Sequence, residues 1–182
     1  MKSLSLTSPH AIVMVGIPGS GKTFFAHKFA ETFNAPYLDQ AYIEKNVDDA
    51  KKAAEVTDHF LHQLLKTNQS IVLEVESDTR QARTLLAKTL RAAGYIPLFV
   101  WVQVDAPTAR QRSLKARQMT AQEFDQRTER FSAPHHSEQP LVISGKHTYA
   151  SQAKLVLKKL SAPRAEISAH SSAPIRGRIV VR

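Results

Sequence analysis

At 182 residues and 42% hydrophobic content, the chain carries enough apolar material for one core plus an appendage, and no second independent domain is expected. It contains no cysteine, which excludes disulfide stapling and thiolate metal sites and suits a reducing cytosol. A formal net charge of +9 attracts polyanions, whether nucleotides, nucleic acid or an acidic membrane surface.

In chain order, Ala11 to Val15 is continuously apolar, short and stopped by Gly16, the pattern of a strand buried on both faces. It is far too short to span a bilayer, so no membrane association and a cytoplasmic setting are expected. A helix is predicted over Lys22 to Phe33, a short strand over Pro36 to Asp39, and one long helix from Ile43 to about Thr67, on the spacing of Val47, Ala50, Ala54, Phe60, Leu61, Leu64 and Leu65. Ser70 to Val75 reads as a third strand, Thr79 to Ala93 as a helix closed by Gly94, and Ile96 to Val104 as a fourth strand whose Trp101 belongs to the core. Pro107 suits the first turn of another helix, and Thr120-Ala-Gln-Glu123 has capping-box spacing for the next, so a break is predicted near Met119. Leu141 to Ile143 reads as a fifth strand and Tyr149 to Leu160 as the closing helix.

Alternating strands and helices with buried strands predict an α/β fold: a parallel sheet of about five strands with helices on both faces and a small helical lid. Residues 1–160 form the expected domain. From Ser161 to Arg182 the mixture of alanine, serine, proline and arginine has little to bury and is read as a basic tail, with Ile179 to Val181 available as an edge strand.

The strongest local signal is Gly16-Ile17-Pro18-Gly19-Ser20-Gly21-Lys22-Thr23, a Walker A spacing set between a buried strand and an amphipathic helix. In such a loop Gly16, Gly19, Ser20 and Gly21 let successive backbone N–H groups face a phosphate at a helix N-terminus. Lys22 bridges the β- and γ-phosphates, and the Thr23 hydroxyl ligates Mg²⁺. The expected ligand is a nucleoside triphosphate, ATP, with Mg²⁺.

This loop, followed by Phe24-Phe25-Ala26, Leu38-Asp39 and later Asp105-Ala-Pro107 with spaced arginines, resembles the P-loop kinases grouped with polynucleotide 5′-hydroxyl kinases and zeta-toxin-like proteins. The pattern runs from about Ile12 to Leu160. The resemblance implies transfer of a γ-phosphoryl group to a hydroxyl of a small molecule or a nucleic-acid end, with the net charge favouring an anionic acceptor. It implies that Asp39 acts as the base, with Glu44 the nearest substitute; the competing reading makes Asp39 the cap of the helix beginning near Tyr42. Where such kinases carry an aspartate at the end of the third strand, this chain offers Glu74, with Glu76 on the same strand face, to hold the metal shell. Ser77, Asp78, Arg80 and Arg83 fall where residues touch the acceptor, although Arg80 and Arg83 also suit a solvated helix turn. Arg110 and Arg117, two turns apart, match lid arginines that close over the transferring group, while Arg112 points elsewhere; a basic solvated helix is the competing reading. Base contacts are expected from the loop Ser144 to Thr148.

Two other classes compete with the kinase reading. A nucleotide-dependent switch lacks an Asp-Glu strand end and a guanine-reading Asn-Lys-x-Asp in this sequence. A nucleic-acid-binding protein with a vestigial nucleotide site would draw on the basic tail and show strong salt dependence. His135-His136 has no further ligand at metal spacing and reads as a loop.

Overall fold

The computed structural model describes residues 8–116 and 119–162. Arg117 and the tail from Pro163, including Ile179 to Val181, lie outside the described residues.

Five strands, β1 (His10–Val15), β2 (Tyr37–Asp39), β3 (Ile71–Glu74), β4 (Ile96–Gln103) and β5 (Leu141–Ser144), form one sheet in the order β2-β3-β1-β4-β5. Every pairing is parallel. The central strand β1 is buried on both faces from Ala11 to Val15, which is why its sequence is apolar without alternation. Ile12 and Met14 face one core with Phe25 and Phe29 of α1 (Lys22–Phe33) and Val156 of α7 (Tyr149–Leu160). Ala11, Val13 and Val15 face the other, with Leu61 and Leu65 of α3 (Ala50–Leu65) and Leu86 and Leu90 of α4 (Arg80–Ala92).

The single long helix expected from Ile43 to Thr67 is two helices. α2 (Gln40–Asn46) ends at Val47, whose φ of −126° is extended, and α3 starts afresh after Asp49. Asp49 caps α3 by accepting from Lys51 N at 2.8 Å and Lys52 N at 3.1 Å. A second N-cap aspartate outcompetes the running periodicity, because it satisfies orphan donors of a new helix. α2 itself has no fully buried residue, and only Ile43 packs partly against the core that α3 fills.

β3 stops at Glu74 rather than Val75. The capping box at Thr120 forms as expected and starts α6 (Ala121–Arg130). With α5 (Ala106–Lys115), capped by Asp105 and carrying Pro107 in its first turn, α6 makes a small helical lid beside the carboxyl ends of β1 and β4. No helix among the described residues is long and apolar enough to cross a membrane.

Candidate active site

The β1–α1 turn curls into a cradle whose glycines adopt positive φ: 144° at Gly16, 73° at Gly19 and 105° at Gly21. At Gly19 a β-carbon would stand 2.2 Å from the Ala109 carbonyl oxygen and 2.5 Å from Ser113 Oγ of α5. Only glycine fits where the lid's first helix presses on the loop. On the other side a β-carbon at Gly145 would lie 2.2 Å from Ser20 O, so the loop after β5 is packed equally close. The Ser20 hydroxyl, buried in the loop, has no partner among the described residues, nor does Ser113 Oγ. The cradle thus offers a concave backbone surface with an unsatisfied hydroxyl inside it, which fits a phosphate at the N-terminus of α1.

Lys22 folds back on this loop. Its Nζ donates to Gly16 O at 2.6 Å and Ile17 O at 3.2 Å. Burial pushes its pKa down, Glu74 and Asp78 push it back up, and Arg127 opposes them. Arg127, on α6, is therefore the lid arginine whose charge is felt at the lysine.

Glu74, at the end of β3, accepts from Thr23 Oγ1 at 2.8 Å through Oε1 and from the Tyr37 hydroxyl at 2.9 Å through Oε2. Burial raises its pKa, and the hydrogen bond from Thr23, the Lys22 charge and the hydrogen bond from Tyr37 draw it back down. The Tyr37 phenol is pushed well above its usual range, first by burial and then by Glu74. A hydroxyl and a carboxylate in contact at the first turn of α1 are the hard oxygen donors that Mg²⁺ takes, so these residues fit that ion. Glu76 does not share this face. It lies beyond the strand end, where its N–H donates to Gln40 Oε1 at 2.8 Å.

Asp39 is the N-cap of α2, accepting from Tyr42 N at 3.1 Å, and it pairs in register with Glu74 across β2 and β3. Its charge acts on both Glu74 and the Tyr37 phenol, and the cap of the competing sequence reading is formed. Glu44, one turn on, is bound by Gln40 Nε2 at 2.7 Å.

The arginines separate. Arg83 is neither an acceptor contact nor a solvated residue: it is 1% exposed. Its Nε and Nη2 donate to Glu138 at 2.7 and 3.1 Å, and its Nη1 donates to the carbonyls of Ser77 and Ser132, each at 2.9 Å. The residue that completes this buried pair sits 55 positions later, and no local spacing announces it. Arg80 reaches Ser137 Oγ at 3.4 Å. Arg110 pairs within the lid with Asp125, at 3.3 and 3.4 Å. Arg112 donates to Gly145 O at 3.0 Å, bridging α5 to the loop expected to hold the base. Arg130 links α6 to Asp78 at 3.4 Å and Glu76 at 3.8 Å.

Beside the loop, Ile17, Trp101, Phe131, Val142, Ser144 and Lys146 line a cavity of about 470 Å³. Trp101 is thus half in the core and half in this wall, not wholly core as its apolar neighbours imply. Asp105 and Lys146 form an ion pair at the same cavity.

A five-stranded parallel sheet with a glycine cradle feeding its first helix defines a P-loop protein of the kinase-like α/β type. A family model described as an AAA domain, AAA_33, matches residues 12–134, and the chain belongs to that family. No curated protein matches the chain significantly. Among solved structures, the gluconokinase of Sinorhizobium meliloti 1021 is similar over 84% of this chain and 91% of its own, at 16% identity and a TM-score of 0.62. The APS kinase of Mycobacterium tuberculosis, solved with AMPPNP and APS, is similar over 85% and 99%, at 18% identity and a TM-score of 0.67. Kti12 of Chaetomium thermophilum, solved with ADP-AlF3, is similar over 82% and 96%, at 13% identity and a TM-score of 0.64. At these identities the likeness is one of fold.

Proposed function

We propose that this chain is an ATP-dependent phosphotransferase that moves the γ-phosphoryl group to a hydroxyl of a small molecule or a nucleic-acid end. The observation that carries the reading is the convergence, at the carboxyl end of one sheet, of the glycine cradle, the Thr23–Glu74 contact and Asp39. Phosphoryl transfer asks the protein mainly for positioning and charge stabilisation, and these groups supply both.

In this reading Lys22 exchanges the carbonyls of Gly16 and Ile17 for phosphate oxygens when nucleotide enters. Thr23 and Glu74 would hold Mg²⁺, which would supply neutralisation of the nucleotide's phosphate charge. Asp39 accepts or orients the acceptor hydroxyl's proton. Arg127 is the favoured lid arginine for the spread charge of the transferring group, since it already acts on Lys22. Arg110 spends its guanidinium on Asp125 and would have to leave it to serve, and Arg117 stays a candidate by sequence alone. The preference for an anionic acceptor drawn from net charge loses force at this wall, where Glu74 and Asp78 act on Lys22 and Arg130 is paired with Asp78 and Glu76.

The test is ADP release from Mg²⁺-ATP with a panel of sugars, nucleosides and 5′-hydroxyl oligonucleotides, with Lys22→Ala as control. Stimulation by one acceptor class, abolished in Lys22→Ala, is the expected result. Nucleotide binding without any acceptor-dependent turnover would remove the kinase reading, and full activity in Lys22→Ala would remove the phosphate-loop assignment.

A further inference from the structure

We infer that Tyr37 is a positioning residue for the metal shell, its hydroxyl holding the Glu74 carboxylate in the orientation that presents it, together with Thr23, to the divalent cation. The inference rests on the proposed nucleotide site and goes beyond it, because the sequence pattern assigns Tyr37 no role.

A glutamate in place of the shorter aspartate brings one more rotatable bond to the strand end, so its carboxylate needs fixing before it can serve a metal with strict geometry. Here both oxygens are held, and by different elements. Oε1 takes the Thr23 hydroxyl of α1 and Oε2 takes the Tyr37 hydroxyl of β2. The phenol is itself fixed. Its backbone pairs in register with Val72, its ring packs against the α1-side core, and the His27 ring of α1 stands edge-on to it at 6.3 Å. The hydroxyl is therefore aimed by a strand and a helix rather than by a loop, which is what a supporting contact to a ligating carboxylate requires. Asp39 lies on the same strand two residues on, so Tyr37 and Asp39 share a face and Asp39 also acts on the phenol, but the hydroxyl's contact at 2.9 Å is with Glu74 Oε2.

Tyr37→Phe keeps the ring and removes only the hydroxyl. The experiment titrates Mn²⁺ into the protein–ADP complex, following free Mn²⁺ by electron paramagnetic resonance, and separately measures ADP affinity in EDTA. Loss of the hydroxyl should weaken Mn²⁺ binding by about tenfold or more, while metal-free ADP affinity stays within roughly twofold, since the phosphate cradle is untouched. Unchanged Mn²⁺ affinity in Tyr37→Phe would overturn the inference. Glu74→Gln provides the second variant: in its background, adding Tyr37→Phe should cost little more, because the two act as one unit. A full additional loss in the double variant would equally overturn it. Failure of the unsubstituted protein to bind ADP at all would strike the nucleotide site itself, and so is distinct from failure of the Tyr37 assignment.

Discussion

The Asp39 carboxylate accepts from Tyr42 N at 3.1 Å as the cap of α2 and sits beside Glu74 in the sheet register. A substitution that keeps the cap while removing the charge separates its two roles, and asparagine caps about as well as aspartate. Asp39→Asn should therefore leave thermal stability and ATP affinity nearly unchanged while lowering kcat by roughly 10²-fold, measured by steady-state kinetics with the acceptor found above. A parallel loss of ATP affinity would mean that Asp39 serves the metal or the fold instead. Glycine placement belongs to the same scale. Gly19 and Gly145 are required by neighbours distant in sequence, Ala109 and Ser20 respectively, and only the first is foretold by the loop motif.

Among elements, the telling contact is between α4 and the segment that returns from the lid to β5. Arg83 of α4 is fully buried, and its guanidinium gathers Glu138, Ser77 O and Ser132 O. Ser77 in turn donates to Met14 O of β1 at 2.8 Å. The end of the lid is thus tied to the strand that feeds the phosphate loop. Breaking one side of a buried pair leaves a charge without its counterion. Glu138→Gln should cost roughly 3 kcal/mol, lowering Tm by about 6–12 °C in a chain of this size, readable by calorimetry. The Arg83 hydrogen bonds hold the Glu138 carboxyl below its ordinary value of 4.5. A lowered folded-state pKa contributes stability that is fully present above the unfolded value and lost as pH falls through the folded one. The unsubstituted protein should lose this increment below about pH 4.5, and Glu138→Gln should lack that step.

At the scale of the whole molecule, the nucleotide loop, the lid and the last two strands meet around one cavity, which Ile17 shares with Trp101 and Phe131. Trp101 is the only tryptophan in the chain, so its emission reports on this junction alone. Adding Mg²⁺-ATP should produce a saturable change in tryptophan fluorescence that is absent in Lys22→Ala. A flat signal, with binding confirmed by calorimetry, would mean that the cavity is uncoupled from the loop. The same scale sets the charges around Lys22, where Glu74 and Asp78 oppose the effect of burial and Arg127 adds to it, beside a net charge of +9 over the whole chain.

What the sequence by itself determined is everything written in local spacing. The glycine loop between a buried strand and a helix, the alternation that makes a parallel sheet, and the caps at Thr79, Asp105 and Thr120 are all set by residues within a turn or two of one another. Glu74 and Thr23 are both candidate metal-shell residues by sequence, Thr23 from the loop motif and Glu74 from the family resemblance, and the structure puts them in contact at 2.8 Å. The tertiary structure decided what depends on partners far along the chain. It paired Arg83 with Glu138, tied Arg110 to Asp125, brought Tyr37 to Glu74, and split the predicted long helix at Asp49. The physical reason is common to all: a charged or hydroxyl side chain takes its role from whichever partner burial places against it, and periodicity along one segment carries no information about that partner.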